Sequence, residues 1–210
     1  MVSTSNFPGI SCVMYIRAQS STIIEDISRH CQSGSSLGIA FFYFDFQNRD
    51  TRPLAVIRSL IKQLSSQCST VPDALVKLFH ENLEGQRTPT LKELLLTAKF
   101  VIQAFLDVYI VFDALDECLE REEFLALLGV IYDWRIGTLH LLTTSRKERD
   151  IEVALSHMVT QEIAMGEGLV NVDIRLHVSK VLEHAIEFQK FSAEEKDMIM
   201  ITLLEGAQGM

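Results

Sequence analysis

The sequence lacks the features that mark secreted, membrane-spanning or metal-stabilised proteins. None of its four cysteines stands in a Cys-x-x-Cys pair, so we expect neither a zinc knuckle nor a disulfide framework. The N-terminus has no basic region followed by a sustained apolar stretch, which argues against a signal peptide. The most apolar segments, residues 37–46 and 108–115, are far shorter than the roughly 20 residues needed to cross a bilayer. We therefore expect reduced thiols, no membrane partner and a cytoplasmic location.

A cluster of basic residues is also missing. The 19 lysines and arginines stand against 28 aspartates and glutamates, which gives a net charge of −9. Because a basic face supplies most of the affinity for DNA or RNA, this balance disfavours nucleic acid as a partner. Hydrophobic residues make up 48% of the chain and charged residues 22%, a composition typical of a folded globular protein.

Apolar segments alternate with helical patterns along the chain, and this alternation predicts an α/β fold in which helices cover a parallel sheet. Strands are predicted at residues 39–46, 108–112, 138–144 and 158–164. Helices are predicted between them at residues 51–67, 72–83, 91–106, 120–134 and 150–155. Beyond Gly168 the pattern is only helical, at residues 172–188 and 193–204, which predicts the beginning of a second, helical subdomain.

Acidic residues follow one predicted strand, in the sequence VYIVFDALDEC at residues 108–118. An aspartate directly after a buried strand is held rigidly, so Asp113 could orient the water shell of a Mg²⁺ bound to phosphates. Asp116 and Glu117 come next, and either carboxylate could polarise an attacking water. In the simpler interpretation, Asp113 merely ends a strand while Asp116 and Glu117 cap the helix that begins near Glu120. The spacing leaves both interpretations open.

An arginine follows the next predicted strand, in the sequence LHLLTTSR at residues 139–146. Arg146 could contact a γ-phosphate from this position. An ion pair between Arg146 and Asp113 or Glu117 is an equally simple explanation. Since the carboxyl ends of strands in open α/β sheets collect ligand-binding groups, we expect both segments at the same edge of the sheet.

Together, the two strand ends resemble a known family. FDALDEC (residues 112–118) and LTTSRKERDI (residues 142–151) are similar to the Walker B and sensor segments of the NACHT family. The nearest likeness is to the fungal, nephrocystin-like branch, found in large signalling proteins with repeat domains. SSTIIEDI (residues 20–27) resembles the first helix of that family, just after its phosphate loop. FFYFDF (residues 41–46) and IRSLIKQL (residues 57–64) resemble its second strand and the helix that follows.

This resemblance implies a P-loop NTPase of the STAND class, which uses slow ATP or GTP hydrolysis as a switch. By the same resemblance, Asp113 would bind Mg²⁺ and Arg146 would sense the γ-phosphate. Asp116 and Glu117 would position or activate the hydrolytic water.

The resemblance also divides the chain. Residues 20–166 would form the NTPase core, and residues 167–210 would begin a helical lid subdomain, without the winged-helix segment that closes over the nucleotide. Residues 1–19 would be a divergent segment in place of the phosphate loop.

That divergent segment is where the chain departs from the family. NACHT proteins carry a glycine-rich loop ending in Gly-Lys-Thr or Gly-Lys-Ser immediately before the helix that begins here at Ser20. Backbone N–H groups of the loop cradle the phosphates, its lysine neutralises them, and its hydroxyl binds Mg²⁺. None of the 10 glycines is followed by lysine, and ISCVMYIRAQ (residues 10–19) contains neither residue type.

Three explanations of this segment stay open. Residues 10–16 could fill the empty central position of the sheet as a strand, with a connection at residues 17–20 too short to enclose a triphosphate. Arg17 could replace the lysine, although a forked guanidinium is a poor substitute for a compact ammonium. Residues 1–19 could also reflect an altered exon boundary in a gene whose intact form encodes the loop.

We therefore predict a truncated NACHT-type nucleotide-binding module of a signalling protein, with weak or lost NTP binding and little or no hydrolysis. Its cofactor would be Mg²⁺ with ATP or GTP if a nucleotide binds at all, and otherwise none. One alternative is a non-catalytic remnant that serves as a protein-interaction or scaffold domain, by self-association or with another protein. The other is a functional ATP or GTP switch whose phosphate loop is missing from this gene model.

Overall fold

The computed structural model describes residues 14–16, 20–32, 36–45, 50–163, 175–176, 178–183, 188 and 190–207. The chain divides into two compact units, Met1–Ile163 and Ala164–Met210. The first unit contains strands and helices in the order β1 (Met14–Ile16), α1 (Ser20–Gln32), β2 (Leu37–Tyr43), α2 (Pro53–Ser65), α3 (Asp73–Glu81), α4 (Leu91–Ile102), β3 (Asp107–Asp113), α5 (Arg121–Tyr132), β4 (Leu139–Thr144), α6 (Arg149–Leu155) and β5 (Gln161–Ile163). Single 3-10 turns follow α3 and β3, at Leu83–Gly85 and Leu115–Glu117.

The five strands form one parallel sheet in the order β2-β3-β4-β1-β5. Strand β1 lies between β4 and β5, and its Ile16 is in register with Thr144 on one side and Ile163 on the other. In β3, Val108, Val111 and other apolar residues on both faces are fully buried, as expected for a strand covered on both sides. The predicted α/β fold, a parallel sheet flanked by helices, is confirmed.

Two helices show how the local sequence determines where a helix begins and which side it buries. Helix α2 has Pro53 in its first turn, where the missing N–H costs nothing. Its buried residues recur at helical spacing and pack in the main core (Val56, Ile57, Leu60, Ile61 and Leu64). Helix α4 begins with a capping box, in which Thr90 and Glu93 each bond the other's backbone N–H. Chiefly the hydrogen bond from the Thr90 backbone lowers the pKa of Glu93 to about 2.

Several predicted boundaries differ from the structure, among them that of β2, which spans Leu37–Tyr43 rather than residues 39–46. Two of the differences have identifiable reasons. The last strand begins at Gln161 rather than near residue 158, because the N–H groups of Met158 and Val159 both bond the carbonyl of Leu155 at the end of α6. Helix α4 ends at Ile102 rather than near residue 106. There the N–H of Leu106 bonds the carbonyl of Ser36 at 2.8 Å, so the chain has already turned toward the start of β3.

The second unit is helical where the structure describes it. Helix α7 spans Ala193–Ala207, residues 175–176 and 178–183 are also helical, and residue 188 is in a 3-10 turn; the other predicted helical positions between 172 and 188 are outside the described residues. Ser192 and Glu195 form a capping box before α7. No helix in the described parts of the chain is long and apolar enough to cross a membrane.

The cysteines that the structure describes, Cys31, Cys68 and Cys118, are free thiols, and Cys12 lies outside those residues. Burial raises the pKa of Cys118 to about 11, which favours the protonated thiol at neutral pH.

Candidate functional site

The carboxyl end of β3 is tied to the carboxyl end of β4 through one threonine. Asp113 is the last residue of β3, and its carboxylate accepts a hydrogen bond from the hydroxyl of Thr144, the last residue of β4. The same hydroxyl oxygen accepts a bond from the N–H of Ala114 at 2.9 Å. Thr144 is 4% exposed. Asp113 is therefore held in a fixed position by a buried neighbour.

A sharp turn then brings the next carboxylate back to the same edge. Ala114 has φ 56° and ψ 50°, the left-handed region that a residue with a Cβ enters at a cost of about 1 kcal/mol. The 3-10 turn Leu115–Glu117 follows, with the N–H of Glu117 bonded to the carbonyl of Ala114 at 2.8 Å. Because the chain reverses here, Asp116 faces the residues that follow β4.

Asp116 binds Arg146 in two ways. Its Oδ1 accepts the backbone N–H of Arg146 at 3.0 Å, and its Oδ2 lies 3.5 Å from the Nε of the same residue. The Asp116 side chain is 11% exposed, while that of Arg146 is 63% exposed. Helix α5 has Glu120 at its N-cap position and no side-chain cap. The interpretation of Asp116 as a helix cap is therefore wrong, and Asp116 pairs with Arg146 instead.

Glu117 ends the same turn and is partly buried. The structure thus brings all four predicted site residues, Asp113, Asp116, Glu117 and Arg146, to one edge of the sheet, within two segments cross-linked by hydrogen bonds. Tyr43, the register partner of Asp113 on β2, borders them. Burial, and then the charge of Asp113, raise the pKa of Tyr43.

One contributor was not anticipated from the sequence. Arg121 donates from Nη1 to the backbone carbonyl of Asp116 at 3.1 Å, and its Nε lies 2.7 Å from Oδ2 of Asp150 on α6. It thus holds the acidic turn against the helix after β4. A cation in the first turn of a helix opposes the helix dipole. This unfavourable placement of Arg121 in α5 was the signal available in the sequence.

The end of β1 completes this edge of the sheet, since β1 lies beside β4. Strand β1 ends at Ile16 and α1 begins at Ser20, which leaves three residues between them. A phosphate loop of the Gly-x-x-x-x-Gly-Lys-Thr type contains about eight residues at this position. The strand interpretation of the N-terminal segment matches the structure over Met14–Ile16, while residues 10–13 and 17–19, including Arg17, lie outside the described residues.

These residues fit only part of a Mg²⁺–triphosphate. The carboxylates after β3 and the arginine after β4 have the right chemistry. The three residues between β1 and α1 include no glycine or lysine and are too few for a loop that surrounds phosphates. Within the described parts of the chain, no group of three or more His, Cys, Asp or Glu residues could hold a metal ion. The site as a whole does not fit this ligand.

One comparison with known proteins identifies a family. A family model described as "Nephrocystin 3, N-terminal" matches residues 18–146, which is more than half of the chain. No curated protein matches the sequence. A chain in the solved structure "Structure of Drosophila ORC bound to GC-rich DNA and Cdc6" is similar with a TM-score of 0.39 and 10% identity. That match covers 93% of this chain and 71% of the other, and a likeness this distant carries no functional argument.

Proposed function

Since the chain belongs to the nephrocystin 3, N-terminal family, we propose that it is a NACHT-type nucleotide-binding module of a signalling protein whose NTP binding is weak or lost. The observation that carries this proposal is the contrast between two neighbouring strand ends. The ends of β3 and β4 present Asp113, Asp116 and Arg146 together. The end of β1 connects to α1 through three residues that lack the phosphate loop.

The missing loop would remove three kinds of contact at once: the backbone cradle, the lysine and the Mg²⁺-binding hydroxyl. Each charge-assisted contact of this kind is worth about 1.5–3 kcal/mol. Losing three of them weakens binding by about 10³-fold or more. The resemblance assigns Mg²⁺ binding to Asp113, water activation to Asp116 and Glu117, and γ-phosphate sensing to Arg146. We propose that these residues now act mainly as cross-links between the two strand ends.

A protein-interaction or scaffold function is the second candidate, and exposed apolar side chains on α3 and α4 favour it. Phe79 and Leu83 are 51% and 62% exposed at the end of α3 and just beyond it. Leu96 and Phe100 are 55% and 54% exposed and stand four residues apart on α4. Large exposed apolar residues at helical spacing are typical of surfaces that bind another protein.

Titration of a fluorescent ATP or GTP analogue, with and without Mg²⁺, tests the first proposal. We expect no saturable binding at micromolar protein concentrations. Micromolar, Mg²⁺-dependent binding that disappears in Asp113→Ala would instead support a functional ATP or GTP switch. Glu123→Ala is the matched control, because it removes an exposed carboxylate from the first turn of α5 without touching the site.

A further inference from the structure

Strand β2 is one edge of the sheet, and glutamine side chains cover part of its free side. Among the strands that the structure describes, it pairs only with β3, so alternate residues direct their backbone N–H and C=O groups away from β3. Such unpaired groups are a template on which another strand can add. In this protein, two of the outward-directed residues, Ile39 and Phe41, are hydrogen-bonded to glutamine side chains.

Each glutamine amide binds both backbone groups of one residue. Gln63 Oε1 accepts the N–H of Phe41 at 3.0 Å, and Gln63 Nε2 donates to the carbonyl of Phe41 at 2.8 Å. Gln67 does the same for Ile39, at 3.0 and 2.6 Å. Two residues that exchange both bonds are the hydrogen-bonded pair of an antiparallel ladder. The two amides therefore take the place of two residues of a neighbouring strand.

The residue spacing along the helix matches the spacing along the strand, so the two amides can stand where two residues of a neighbouring strand would. Four residues along a helix advance about 6.0 Å, and two residues along a strand advance about 6.6 Å. Gln63 and Gln67 are four apart at the end of α2 and just beyond it, and Phe41 and Ile39 are two apart on β2. The pairing runs in opposite chain directions, as in an antiparallel neighbour. Both amides can therefore bind at once without distortion.

The remaining amide N–H groups are also used, which fixes the orientation of each side chain. Gln63 Nε2 donates a second bond to the hydroxyl of Ser59 at 3.1 Å. Gln67 Nε2 donates a second bond to the carbonyl of Gln63 at 2.8 Å. Neither amide can rotate away without breaking several bonds together.

Small residues on β2 permit the close approach of α2 that these bonds require. Gly38 and Ala40 are buried residues of β2, and Ala40 packs in the same core as Leu64 of α2. A Cβ added at Gly38 would lie 3.0 Å from Phe105 Cδ1 and 3.2 Å from Leu64 Cδ2. A larger residue at position 38 would push these neighbours away from the strand.

We propose that Gln63 and Gln67 form an amide seal, which keeps the β2 edge of one molecule from pairing with the β2 edge of a second copy. The sequence of β2, LGIAFFY, has no charge and no proline, which is the composition of strands that self-associate. A second copy is the fitting occupant because two identical uncharged edges can pair antiparallel about a two-fold axis. The seal controls the self-association of this chain.

The test is the double variant Gln63→Ala/Gln67→Ala, followed by amide hydrogen exchange and sedimentation velocity. At low protein concentration, we expect the amides of Ile39 and Phe41 to exchange about tenfold faster or more, because each loses its acceptor. As the concentration rises, we expect dimers or larger species. Arg58→Ala/Lys62→Ala removes two exposed side chains from the same helix and should leave both measurements unchanged.

A third substitution tests the identity of the occupant. Adding Tyr43→Lys to the double variant places a charge at the exposed end of β2 and should return the protein to a monomer. Oligomers that persist in this triple variant would show assembly through another surface and overturn the proposal. A double variant that stays monomeric at all concentrations would overturn it as well.

A single variant keeps the test decisive if the double variant does not fold. Gln67 is exposed, so Gln67→Ala should retain the fold. It should speed exchange at Ile39 and leave Phe41 protected by Gln63. Equal exchange at Ile39 in the variant and the natural chain would show that the amide does not cover the edge.

Discussion

At the ends of β3 and β4, the groups that a nucleotide site would use are side chains, and Asp113, Asp116 and Arg146 are bonded to partners within the protein. At the end of β1, the corresponding groups would come from a loop, and only three residues stand there. The side chains at the ends of β3 and β4 cross-link two strands, so their loss would lower the stability of the fold. A phosphate loop contributes mainly ligand contacts, so its loss costs only binding. The comparison suggests why one half of such a site persists without the other.

The largest effect is expected when the missing phosphate loop is restored. Replacing residues 17–19 with an eight-residue Gly-x-x-x-x-Gly-Lys-Thr loop should raise the affinity for a Mg²⁺-nucleotide by about 10³-fold or more. The gain should depend on Asp113, and fluorescence titration of the graft with and without Asp113→Ala measures it. A folded graft that still binds no nucleotide would show that the β3 and β4 ends no longer form half of a site.

Two adjacent threonines, Thr143 and Thr144, test whether the ends of β3 and β4 have a structural role. Thr144→Val removes the donor to Asp113 and the acceptor of the Ala114 N–H, and should lower the free energy of unfolding by about 1–3 kcal/mol. Thr143→Val is the matched control. The Thr143 hydroxyl is buried without a hydrogen-bond partner in the described structure, so its removal should be neutral or stabilising. Urea unfolding measures both, and equal losses would contradict the cross-linking role.

The smallest effect is expected for Glu93, a carboxylate outside the candidate site that has only a structural role. Hydrogen bonding lowers the pKa of Glu93 from its ordinary value of 4.5 to about 2. Ionised Glu93 therefore stabilises the fold above about pH 4.5, and this contribution is lost as the pH falls toward 2. The difference in Tm between the natural chain and Glu93→Ala should shrink over that range. Glu122→Ala, which removes an exposed carboxylate, should show no comparable change.

The sequence predicted the parts of this fold that depend on local patterns. The continuous apolar run before Asp113 and the strand before Arg146 both indicated buried strands, and parallel strands place their carboxyl ends at one edge. The sequence could not predict that Arg146 pairs with Asp116. That pairing depends on the left-handed conformation of Ala114, which nothing in an alanine signals.

The amide seal was beyond prediction for a similar reason. The sequence indicates only that Gln63 and Gln67 are polar residues near the end of a helix. Their role depends on the distance between α2 and β2, which Gly38 and Ala40 set by being small. The register of β1 between β4 and β5 also depends on contacts between distant segments, so the sequence indicated a strand inside the sheet but not the residues with which it pairs.

The order of the strands in the sheet affects how the chain can fold during its synthesis. Strand β1 is synthesised first, yet both strands that flank it are synthesised last, since β4 ends at Thr144 and β5 at Ile163. Strands β2 and β3 can pair while the ribosome is still elongating the chain, but β1 waits for more than a hundred residues after its own synthesis before β4 and β5 are available. Pairings that join such distant segments form slowly. Until then, the first strand is a nascent segment without its permanent neighbours, and it is available to a chaperone.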